Sequence, residues 1–225
     1  MAAVSGFGIG SLLTPYLLLS FATADAVAIV AVPHAVATTV RFLRLRDHVH
    51  MPTFREFGIA SAAGGLVGAL LQPALGSLAL TLVLAVLLLA AGTSELARRP
   101  VPLPATRFWR LSGGILSGVF GGLVGNQGGI RAAALLGFRL ETRALVATAT
   151  ASALLVDAAR VPIYVIARGP VLASTVPLWL AGTAGVVVGT LIGVPLLGRI
   201  PPTLYRQIVG GLLVALGISL AFAAL

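Results

Sequence analysis

Apolar residues in this chain come in long, nearly uninterrupted runs, and charged residues collect in the short gaps between them. Five runs stand out: Ala24–Leu43, Leu75–Ser94, Ala144–Ala167, Pro170–Gly198 and Thr203–Leu225. Each has the length of about 20 residues or more that lets a helix cross a hydrocarbon layer of about 30 Å. A further run, Gly113–Phe138, is interrupted by Asn126-Gln127 and carries Arg131 in its interior. One run could be a secretion signal, but a series from end to end cannot. The pattern predicts an all-α membrane protein.

Composition agrees. The 225 residues are 58% hydrophobic and 9% charged, with a mean hydropathy of +1.06. Soluble domains carry about 25% charged residues, enough polar surface to coat a globule; this chain does not. Its net charge of +9 comes entirely from fifteen arginines, without lysine. Most lie in the gaps between runs, the placement expected of cytoplasmic loops. Nucleic acid is therefore not an expected partner, since no soluble domain exists to present those charges. The absence of cysteine excludes disulfides, thiolate catalysis and the usual zinc sites, and no metal or other cofactor is expected.

The chain also repeats itself. The segment Gly6–Pro15 aligns with Gly125–Ala134, about 119 positions later. In the same order, Met51-Pro52 matches Gly169-Pro170, Gly64 and Gly68 match Gly185 and Gly189, Gly76 matches Gly198, and Gly92–Ser94 matches Gly217–Ser219. This divides the chain into a first transmembrane repeat over 1–97, a Pro- and Arg-rich linker over 98–107, and a second repeat over 108–225. Residues 107–124 precede the second Gly-rich motif, whereas the first begins within ten residues of Met1. The sequence thus leads us to expect a first arm lying upstream of this start, or a protein that dispenses with it.

Arginine placement chooses between two topologies. If each Gly-rich segment crosses once, about nine arginines fall on one side against about four. If each is broken and returns to its own side, three full spans remain per half and the halves are inverted. Arg41, Arg44, Arg46, Arg55, Arg98, Arg99, Arg107, Arg110, Arg139, Arg143, Arg199 and Arg206 then share one face, opposite Arg168, with Arg160 a candidate for that opposite face. The second arrangement obeys the charge rule better, so inverted repeats with re-entrant Gly-rich segments are the expectation.

Inverted-repeat transporters hold substrate near the midplane, where the N-termini of discontinuous helices face anionic groups. The two motifs have that chemistry: glycine lets backbone N–H groups approach an anion, and a following helix adds its positive dipole end. Gly8, Gly10, Ser11, Asn126, Gln127, Gly128, Gly129 and Arg131 are the candidate substrate-binding residues, with Thr14 a further donor. An arginine at mid-membrane costs about 2.5–3.5 kcal/mol on insertion scales, so Arg131 calls for a ligand, a route to the surface or a partner such as Asp157. Asp157 and Arg160, three apart on one helix, can pair. Asp157 could equally carry protons, and His34, after Pro33 where a kink would free carbonyls, could titrate. His48 and His50 read as solvated loop residues, and Trp109 and Tyr164 as interfacial aromatics.

The doubled motif, Gly-x-Gly-x-Gly-x-Leu-x-x-Pro at Gly6–Pro15 with its echo at Gly125–Ala134, resembles that of the TauE/SafE sulfite-exporter family of toluene-sulfonate-uptake-type permeases. The resemblance covers essentially the whole chain. It implies a multi-pass protein of the bacterial inner membrane that moves sulfite, sulfonates or related sulfur-containing anions, with Gly8, Gly10, Gly128 and Gly129 on the pathway. The Asn-Gln-Gly-Gly-Ile-Arg version departs from it: Gln127 stands opposite Gly8, Ile9 opposite Gly128 and Ala134 opposite Pro15. That departure allows a different substrate. The expected activity is secondary transport of a small anion by alternating access, with a passive anion channel or a non-transporting scaffold as alternatives. No nucleotide-binding or hydrolytic motif is present, so the chain is not read as an enzyme. Lipid and the anion are the expected partners, with homo-oligomerisation left open.

Overall fold

The computed structural model describes residues 9–97, 106–197 and 201–224. Gly8, Gly198, Arg199 and most of the linker lie outside them. Among the described residues there are helices and turns and no strands. In chain order the helices are α1 (Ile9–Leu17), α2 (Thr23–Leu45), α3 (Met51–Ala74), α4 (Ser77–Leu96), α5 (Arg107–Val124), α6 (Gly128–Leu136), α7 (Thr142–Ser174), α8 (Val176–Leu197) and α9 (Pro202–Ala223). Five of them, α2, α3, α4, α7 and α9, are long and apolar enough to cross a membrane.

Four of the five apolar runs correspond to α2, α4, α7 and α9 within a few residues. The fifth does not. α7 continues through Pro162 and Pro170 and leaves helical geometry only at Arg168 (φ −129°, ψ 21°), so α8 starts at Val176 and not at Pro170. The helix is thus broken at Arg168, between the two runs the sequence separates, and 142–167 and the stretch after Arg168 are two helical segments meeting at a kink. α3 was hidden in the sequence by Arg55 and Glu56 in its first turns. It opens on His50, whose Nδ1 accepts from Thr53 N, with Pro52 in its first turn, and it carries a π-turn over Phe54–Gly58. His50 is thus a helix cap rather than a free loop residue. α2 remains helical through Pro33.

Two long pairs run antiparallel. Along α2 and α7, Asp25 pairs with Arg168 at 3.2 Å, His34 with Asp157 at 2.8 Å, and His50 N donates to Thr148 Oγ1 at 3.0 Å. Along α4 and α9, Glu95 faces Arg206 at 3.8 Å, Gly92 abuts Gly210, and Gly217 abuts Leu89. Leu80, Leu84, Leu88, Leu213 and Leu220 fill this second seam. Lipid is as apolar as leucine, so tight packing, and not exclusion from water, holds such a seam. Further contacts come in matched sets: α3 packs on α7 and α8 on α2, while α1 packs on α2 and α6 on α7. Exchanging the first four helices for the last four preserves these contacts, but not those of α2 with α4 or of α1 with α9.

α5 falls outside it. It lies parallel to α3 at backbone contact, with Gly118 against the Ser61 carbonyl and Gly122 against that of Gly65. The chain then doubles back. Ser117 Oγ donates to Gln127 O at 3.3 Å, and the Arg110 guanidinium sits 5.6 Å from the centre of the Phe138 ring. Both ends of the α5–α6 unit therefore lie at the end of the bundle that holds Arg55 and the Arg110–Glu56 ion pair (2.8 Å). The Asp25–Arg168 pair marks the other end.

Candidate functional site

The break between α5 and α6 lies inside the bundle. Gly125 caps α5 with φ +71°, a left-handed conformation that side chains disfavour. A helix ending inside protein leaves its last carbonyls short of partners; here side chains reach three of them, Gly121 O accepting from Gly125 N as well. Arg160 Nη1 donates to Gly121 O, Tyr164 Oη to Gly122 O, and Gln72 Nε2 to Leu123 O at 2.8 Å. Sequence reasoning missed Gln72 as a site residue and misplaced Tyr164. Tyr164 is fully buried, so its reading as an interfacial aromatic is wrong; the open carbonyl of a broken helix outcompetes the interface for its hydroxyl.

Arg160 is held from α7. Its Nε and Nη2 lie 3.0 and 2.8 Å from Asp157 Oδ1, while His34 Nδ1 lies 2.8 Å from Asp157 Oδ2. The expected Asp157–Arg160 pair is therefore present and extended across to α2 by His34. One carboxylate between an arginine and a histidine joins the two long antiparallel helices, and through Gly121 it reaches the break.

The two Gly-rich motifs meet. Ser11 Oγ donates to Asn126 Oδ1 at 3.4 Å, and a Cβ on Gly10 would sit 2.7 Å from the Gly125 carbonyl. Among the described residues, four buried polar atoms of the two motifs have no partner: Thr14 Oγ1, Asn126 Nδ2, and both Nε2 and Oε1 of Gln127. Asn126 is 5% exposed and Gln127 3%. Unpaired buried amides cost about 1–3 kcal/mol each, and the great majority of such groups in native proteins have a partner. Gly128 is buried at the start of α6 and Gly129 beside it is half-buried.

Arg131, one turn into α6, is 8% exposed. It neither reaches the surface nor pairs with Asp157: Nη1 donates to the Ala149 carbonyl at 3.2 Å, and among the described residues it makes no ion pair. Side chains on a helix lean toward its N-terminus, which here is the break. The structure brings together Gly10, Ser11, Asn126, Gln127, Gly128 and, on the same short helix, Arg131. His34, Asp157 and Arg160 form an adjoining group that touches the break from behind.

An all-helical bundle with five membrane-length apolar helices is a multi-pass membrane protein, and a broken helix lined with polar groups at its centre is the arrangement by which such proteins handle solutes. The family model described as sulfite exporter TauE/SafE matches residues 1–220. The chain belongs to that family, one of membrane transporters. No curated protein and no solved structure matches it.

Proposed function

We propose that this chain is a secondary transporter for small sulfur-containing anions, sulfite and organosulfonates among them, working by alternating access in the bacterial inner membrane. One observation carries the anion assignment: among the described residues Arg131 is a buried cation without a carboxylate partner, beside the unpartnered amide groups of Asn126 and Gln127 at a helix N-terminus. Each of these favours negative charge. In this reading Gly8, Gly10, Ser11, Asn126, Gln127, Gly128, Gly129 and Arg131 contact substrate. His34 and Asp157 exchange a proton as the halves move, with Arg160 transmitting that change to the break.

The antiparallel course of α2 with α7 and of α4 with α9 supports an inverted repeat, because these are the sequence-equivalent helices. The return of α6 toward Arg110 supports a re-entrant second motif. The arginine-rich end then faces the cytoplasm.

The test is flux of sulfite and of methanesulfonate in proteoliposomes, with Arg131→Gln alongside. A saturable flux with counterflow is expected, and a loss of about 10- to 100-fold in apparent affinity for the variant, the worth of a charge-assisted hydrogen bond. Unsaturable flux would favour a channel. Unchanged affinity in a folded variant would remove Arg131 from the pathway.

A further inference from the structure

We infer that the Asp25–Arg168 pair is the latch of a gate: closed, it holds α7 against α2 over the break, and its opening exposes the break to the face opposite the arginine-rich end. The inference rests on the transport reading above and deepens it. Its first ground is how little separates the pair from the break. Val27 lies two residues from Asp25 on α2, and Tyr164 one turn from Arg168 on α7. Both are buried, in one apolar layer with Ala28, Ala31 and Ala69. On its inner side that layer meets the break: a Cβ on Gly125 would lie 3.5 Å from Val27 Cγ1, and Tyr164 donates to the Gly122 carbonyl. One layer of side chains and one ion pair therefore close this side of the seam.

The second ground is the construction of the pair. Deeper in the same seam, Asp157 holds Arg160 by an aligned hydrogen bond from Nε at 3.0 Å, and both side chains are buried. Asp25 and Arg168 approach to 3.2 Å, yet among the described residues Asp25 Oδ1 and Arg168 Nε make no hydrogen bond, and both side chains are partly exposed. An ion pair of that kind is weak enough to open readily. The backbone supplies the third ground. Arg168 is where α7 leaves helical geometry, a Cβ on Gly169 would meet nothing within 4 Å among the described residues, and Pro170 has no N–H to give to the helical ladder. The ladder is already interrupted there, so the end of 142–167 can move off α2 without unwinding further turns. At the other end of the seam the fastening is uncharged, His50 N to Thr148 Oγ1.

The test uses the chain's lack of cysteine. Val27→Cys puts a single thiol between the pair and the break. A charged, impermeant thiol reagent is applied to the membrane face opposite the one that labels Glu141→Cys. Slow labelling is expected with the pair intact. Adding Asp25→Asn or Arg168→Gln should raise the rate about two- to fivefold, the Boltzmann weight of a partly exposed ion pair. The exchanged pair, Asp25→Arg with Arg168→Asp, should bring the rate back toward its starting value. Glu56→Gln, which removes the pair at the arginine-rich end, should leave it unchanged. Labelling that is absent throughout, that ignores Asp25→Asn and Arg168→Gln, or that rises equally with Glu56→Gln overturns the latch. Flux of sulfite and methanesulfonate by the same protein keeps the two readings apart. Flux with labelling indifferent to the pair would defeat the latch alone, whereas labelling that follows the pair without flux of either anion would sink the transport reading and keep the latch.

Discussion

Gly64 and Gly68 on α3 and Gly185 and Gly189 on α8 have the same spacing and are aligned by the sequence pattern, yet they meet different surroundings. The α3 pair lies against the backbone of α5, where a Cβ on Gly64 or Gly68 would strike the carbonyls of Ile115 and Val119. A Cβ on Gly185 or Gly189 would meet nothing within 4 Å among the described residues. A small-xxx-small pair permits close helix packing but does not supply the partner. What distinguishes the regions is α5, and α5 is where the chain breaks. The tight α3–α5 seam therefore serves the site: it fixes the helix whose open end Arg160, Tyr164 and Gln72 complete.

The contrast can be broken from several directions. The largest expected effect is at Asp157. Asp157→Leu leaves Arg160 buried without its carboxylate, and breaking such a pair costs about 3–5 kcal/mol. The variant should lose its folded, monodisperse peak in detergent. Gly118→Leu comes next, since its side chain must displace the Ser61 carbonyl. Overpacking of about 3 kcal/mol should lower the thermal midpoint sharply, and a wild-type midpoint would show that the seam is not backbone-tight. Tyr164→Phe removes a single hydrogen bond to the broken helix. About 1 kcal/mol is expected, read as a modest drop in thermal midpoint. Gly185→Leu should change stability by no more than about 0.5 kcal/mol; a loss as large as that of Gly118→Leu would mean that the α8 face is packed after all. The opposed course of the two halves is checked chemically. In this cysteine-free chain, His48→Cys and Glu141→Cys should label from the same side with an impermeant reagent, and labelling from opposite sides would defeat inversion.

The sequence made the spans and the polar interruption legible because both are local. Length and apolarity mark a membrane helix, and Asn126-Gln127 in an apolar run marks a break. Asp157 and Arg160 were legible as a pair because three residues of helix put them on one face. The partners of the break were not. Gln72 and Tyr164 lie 51 and 42 residues from the carbonyls they satisfy, and nothing in their own neighbourhoods separates them from ordinary polar and aromatic positions. Arg131 was marked as costly by its place in the run. Its acceptor is a main-chain oxygen, which no residue type announces, so the choice among ligand, surface and Asp157 needed coordinates. The break at Arg168 was legible because charge and proline together mark an interruption, whereas the start of α8 at Val176 instead of Pro170 was not.

The seams that join distant parts of the chain also set an order of events during synthesis. α4 emerges from the ribosome more than a hundred residues ahead of α9, whose glycines and leucines it needs. At elongation rates of about 5–20 residues per second that interval is on the order of ten seconds. Before α7 follows, α2 presents His34 to the bilayer without Asp157, and for a shorter time α3 presents its glycine face without α5. The nascent first half must therefore wait in lipid with its seams open, the interval in which an insertase or a chaperone of the membrane has most to do.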